Sequence, residues 1–93
     1  MEIYAEDRYE EGKKVCTQYR SEGREFPNMN SLADYIVNST SGFSGSIKNR
    51  ESTSIEAVGR SGEVTAMIFR PLNSSELEEL ALTISNFQAL KII

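Results

Sequence analysis

Neutral-pH catalysis most often runs through histidine, an activated thiol, or a serine with a base beside it. This chain of 93 residues holds no histidine and one cysteine. Without imidazole it lacks the commonest general base and the commonest metal ligand. Cys16 alone makes neither an internal disulfide nor a thiolate metal cluster. Its spacing puts it on the apolar face of an expected first helix, where a thiol is a small hydrophobe rather than a nucleophile. None of the serines stands in a nucleophile-elbow, Ser-x-x-Lys or Walker context. Gly42, Gly45, Gly59 and Gly62 do not form a phosphate cradle opening a helix. The carboxylates Glu6, Asp7, Glu10 and Glu11, and again Glu76, Glu78 and Glu79, lack the spacing of a calcium loop. They read as solvated helix faces and dipole partners. The expectation is therefore no enzyme, no metal and no cofactor.

Charge narrows the partners. The formal net charge is −4 and the isoelectric point is near 4.8, which does not favour polyanions or anionic membranes. The middle of the chain is its least acidic part, with Lys48, Arg50, Arg60 and Arg70 against Glu51, Glu56 and Glu63. No run approaches the roughly 20 apolar residues of a membrane span, and no basic-then-apolar leader is visible. A cytoplasmic protein is expected, with residues 1–93 as a single domain.

These side chains must be positioned by a small set of elements. Ala5, Tyr9, Gly12, Cys16 and Tyr19 recur at spacings of three and four, so residues 5–22 read as a helix ending at Gly23. Ser31 caps an expected second helix with Asp34 at its third position, and Leu32, Tyr35 and Ile36 form its apolar face. "TSIEAV" and "EVTAMIFR" around "GRSG" read as a hairpin. Ser75 and Glu78 form a capping box for a final helix with a stripe of Leu77, Leu80, Ala81, Ile84 and Phe87. Residues 88–93 fit either a continued helix or an edge strand. The expected fold is α+β: two N-terminal helices, a three-stranded antiparallel sheet (strands near 43–49, 53–58 and 63–70) and a C-terminal helix packed on it.

The segment 43–50 is the branch point. As a strand it completes the sheet. As a helix capped by Ser44 it gives two helices, a turn, a third helix and a hairpin wing. "SLADYI" followed by "GFSGSIKN" resembles the general helix–turn–helix pattern, a Leu-Ala helix followed by a Gly turn and a Ser-led reader helix. The interval from Leu32 to Gly42 is longer than that pattern's tight turn. The resemblance implies a small dimeric DNA-binding regulator, with Lys48, Asn49 and Arg50 as reader and Arg60 on the wing.

The favoured expectation is the strand, and with it a small acidic protein-interaction module acting as regulator, inhibitor or adaptor. Its partner is another protein, and one that handles nucleic acid would suit an acidic face of Glu6, Asp7, Glu10 and Glu11. Ile84, Phe87, Leu90, Ile92 and Ile93 exceed what one small sheet needs, which points to a homodimer.

Overall fold

The computed structural model describes residues 1–39, 47–60 and 63–92. The elements are β1 (Glu2–Glu10), β2 (Lys13–Ser21), β3 (Arg24–Phe26), α1 (Met29–Ser39), β4 (Lys48–Asn49), β5 (Ser54–Arg60), β6 (Glu63–Arg70) and α2 (Ser74–Ile92). The sheet runs β3-β2-β1-β6-β5, and β4 pairs in parallel with the start of β1.

The expected first helix does not exist. Residues 2–26 form a three-stranded meander joined by two two-residue turns, Glu11-Gly12 and Glu22-Gly23. All four turn residues have positive φ, 51° and 78° in the first turn and 51° and 76° in the second. Paired positive φ is the type I′ geometry, whose twist matches that of the strands it joins. Gly12 and Gly23 are therefore hairpin residues, not part of a helix face and a helix stop. Among the described residues the sheet has six strands instead of three, and there are two helices instead of three.

The segment 43–50 is only partly accessible to comparison, because 43–46 lies outside the described residues. Lys48 and Asn49 are extended, so no helical reader runs through them. Within this hairpin, β5 and β6 occupy the positions read as strands, and residues 61–62 of its turn also lie outside the described residues. The chain after Ser74 is helical through Ile92.

The caps of the two helices lie three and two residues before the expected serines, Ser31 and Ser75. Asn28 Oδ1 accepts from the amide of Ser31 at 2.9 Å, which makes Asn28 the cap of α1. In α2 the capping box is Asn73 with Glu76: the Glu76 amide donates to Asn73 Oδ1 at 2.9 Å and the Asn73 amide to Glu76 Oε1 at 3.0 Å. Asparagine at an N-cap satisfies orphan amides at least as well as serine.

Register divides the sheet into two faces. Ala5 faces Tyr19 and Arg70, and Asp7 faces Thr17 and Ile68. These residues, with Ile3, Ser21 and Phe26, make the inner face. α1 packs on its base, and α2 packs on α1 and reaches the sheet through its side chains. Ile3, Ala5 and Phe26 meet Met29, Leu32, Ala33, Ile36 and Val37 of α1, with Leu72 and then Leu80 and Ile84 of α2. The distal inner face is barer. Ile68 and Ala66 are half-buried, and Ile55 is 69% exposed.

A charged network closes the inner face where α2 meets the sheet. The Arg70 guanidinium reaches Asp7 through Nε (2.6 Å) and Nη2 (3.3 Å), and Glu76 through Nη1 (2.6 Å) and Nη2 (3.3 Å). Thr17 Oγ1 donates to Asp7 at 2.6 Å and the Tyr19 hydroxyl to Glu76 at 2.9 Å. Burial alone would raise both carboxyls. The hydrogen bonds and charge of Arg70, aided by Thr17 at Asp7 and by the Asn73 amide and Tyr19 at Glu76, outweigh it and hold both below the ordinary carboxylate range. The Tyr19 hydroxyl is pushed well up by burial and by its bond to Glu76.

Candidate binding face of the sheet

The outer face carries Tyr4, Glu6 and Arg8 of β1, Cys16, Gln18 and Arg20 of β2, and Met67 and Phe69 of β6, with Ser54 and Glu56 of β5 beside them. Both helices lie on the other side, so this face meets no helix among the described residues. It is nevertheless ordered by its own side chains. Tyr4 and Phe69 meet edge to face, with ring centroids 6.1 Å apart. The Arg20 guanidinium lies 5.9 Å from the Phe69 centroid and that of Arg50 4.9 Å from the Tyr4 centroid. Arg20 Nη1 donates to Glu6 at 3.0 Å and lies 3.3 Å from Glu25. That pairing lets Glu6 sit 2% exposed beside Phe69, itself only 9% exposed.

Arg50 is fixed from the backbone outward. Its amide donates to Ile3 O at 2.9 Å, extending the parallel β1–β4 ladder. The preceding Asn49 side chain copies a strand partner: Nδ2 donates to Leu72 O and Oδ1 accepts from the Leu72 amide, each at 2.9 Å. The Arg50 side chain then lies over Tyr4, where Nε donates to Ser52 Oγ at 3.4 Å and Nη2 to Ser54 Oγ at 3.2 Å. Two shallow depressions meet at this pair. One, about 440 Å³, is lined by Glu2, Tyr4, Lys48, Arg50, Glu51 and Ser52. The other, about 310 Å³, is lined by Tyr4, Arg20, Arg50, Ser54, Glu56 and Phe69.

The residues singled out in the sequence are distributed differently from the expectation. Glu6 and Asp7 are adjacent in a strand and point to opposite faces, each buried in an ion pair. Glu10 ends β1 and Glu11 opens its turn, so the four carboxylates do not share a helix face. Ile84 is buried in the core at 8% exposure and Phe87 packs against it. The side chain of Ile92 lies outside the description. Among the DNA-reader residues, Asn49 spends its amide on Leu72, Arg50 stacks on Tyr4, and Lys48 lies 3.9 Å from Glu51 on the surface. The Arg60 side chain is outside the description. Cys16 is exposed rather than buried, a direct consequence of its strand position on the outer face.

Sequence reasoning missed Tyr4, Arg20, Ser52, Ser54 and Phe69. The available signal was the pair of X-Gly turns eleven residues apart, which marks residues 2–26 as a meander and puts Tyr4 and Arg20 directly opposite each other. Among the described residues no group of His, Cys, Asp and Glu could hold a metal ion, and no helix is long and apolar enough to cross a membrane. No protein-family model matches the chain, and no curated protein or solved structure matches it.

Proposed function

We propose that this chain is a small acidic protein-interaction module, a regulator, inhibitor or adaptor, and that the outer sheet face is its contact surface. One observation carries the reading: both helices sit on the inner face, while the opposite face is an ordered array in which aromatic, arginine and methionine side chains stand among polar ones. Tyrosine, phenylalanine, methionine and arginine are the types enriched at protein interfaces. A second copy of the chain counts as a partner here. The terminal helix is less suited to a dimer seam than its sequence implied, because Ile84 belongs to the core. The DNA reading loses its helical reader, and what remains around Arg50 includes three carboxylates, Glu2, Glu51 and Glu56.

The test is affinity capture from extract of the source cell, combined with light scattering for self-association. Met67→Asp alters the outer face and Leu82→Asp alters an exposed position of α2, 65% accessible. The expected result is a specific partner, or a dimer, lost in the first variant and kept in the second. A partner retained by both variants, or a strict monomer that captures nothing, contradicts the proposal.

A further inference from the structure

We propose that Arg50 is the anchor of a carboxylate subsite: it receives an acidic side chain of an extended partner polypeptide whose neighbouring residues are basic. This deepens the interaction reading above and rests on it. The argument starts from the two edges of a guanidinium. In Arg70 both edges are filled, the Nε side by Asp7 and the Nη side by Glu76. In Arg50 the Nε–Nη2 side faces the hydroxyls of Ser52 and Ser54, and no carboxylate lies within ion-pair distance among the described residues. The Nη1–Nη2 edge is therefore left for a bidentate acceptor, the geometry a carboxylate supplies. The ring of Tyr4 and the ladder bond to Ile3 hold the plane in place beforehand, so little side-chain freedom is lost on binding.

The rim selects among anions. Arg20, Lys48 and Arg50 line the two joined depressions together with Glu2, Glu51 and Glu56. Arg20 is already paired with Glu6 and Glu25, and Lys48 lies close to Glu51. Among the described residues lining the two depressions, Arg50 is thus the one cation without a carboxylate partner, and Glu2, Glu51 and Glu56 share its rim. That field opposes a phosphate dianion or a polyanionic backbone, and it favours one negative group flanked by positive ones.

The test is NMR titration of the full chain with the peptide acetyl-Lys-Ala-Glu-Ala-Lys-amide, its central Gln analogue, inorganic phosphate and a single-stranded oligonucleotide. The Glu peptide is expected to shift the Arg50 Nε–H, the Tyr4 ring and the Ser54 amide, at least tenfold more tightly than the Gln analogue. Arg50→Lys keeps the charge but removes the fork and the stack, and is expected to abolish that preference while the spectrum stays dispersed. Equal shifts from both peptides, or none at the groove, overturns the proposal. Tighter binding of phosphate or oligonucleotide overturns the choice of occupant. If the captured partner still binds the Arg50→Lys variant as tightly as wild type, the subsite fails while the interaction reading stands.

Discussion

At the residue scale, Arg70 is the side chain whose loss costs most. It is 21% exposed and it neutralises two carboxylates that are 6% and 12% exposed. Arg70→Met leaves Glu76 without its cation and Asp7 with only the half-exposed Lys14, 3.5 Å away. Breaking a buried pair in this way costs roughly 3–5 kcal/mol, and chemical denaturation is expected to read a loss of about 3 kcal/mol. The same carboxylates set an acid limit. Both have folded-state pKa values below their ordinary 3.8 and 4.5. Their contribution is complete above those ordinary values and is lost as pH falls through the lower folded ones, because the unfolded chain takes up protons first. The melting temperature is expected to fall below about pH 4.5, and Arg70→Met to show a weaker fall over that window. A flat profile in the wild type contradicts the network's role. Little of this network was legible in the sequence. Glu76 was visible as a helix-start acid, but its partners lie 6 and 57 residues away, and their pairing depends on the sheet register.

At the element scale, the decisive features are the two type I′ turns. A Cβ added to Gly12 meets no atom within 4 Å, but its φ is +78°. Gly12→Ala therefore costs backbone strain only, about 1 kcal/mol. Glu11 stands where Asn is preferred, so Glu11→Asn is expected to stabilise the hairpin by a few tenths of a kcal/mol. Opposite signs in the two variants check the turn type, and a neutral Gly12→Ala contradicts it. In α2, Asn73→Ala removes the side-chain half of the reciprocal cap, the acceptor of the Glu76 amide, and is expected to cost about 1 kcal/mol. The final helix and the β5–β6 hairpin were readable because a stripe, an acidic first turn and alternating β-branched residues each agree with one element. Residues 5–22 misled for a physical reason. Cys16 and Val15 are exposed, and Glu6 and Asp7 are buried, so hydropathy along these strands does not alternate. A β-bulge shifts the register between Arg8 and Tyr9, further disrupting the period of two. Ala5, Tyr9, Cys16 and Tyr19 then fall by coincidence at helical spacing.

At the scale of the molecule, the sheet is longer than its helical cover. The Cα radius of gyration is 15.1 Å and the principal extents are 54 × 22 × 22 Å. A compact chain of this length would have a radius near 12 Å. The core is confined to the base of the strands, where Ile3, Ala5 and Phe26 meet the helices, while Ile55 and Val15 remain exposed at 69% and 51%. Among the described residues the helices are gathered at one end of the inner face, which leaves the outer face clear of them. Small-angle X-ray scattering, extrapolated to zero concentration with the forward scattering fixing the mass at one chain, measures that directly. The account predicts a radius of gyration of about 15 Å and an elongated distance distribution. A radius near 12 Å with a symmetric distribution would contradict this arrangement of helices and strands, from which the outer contact surface is read.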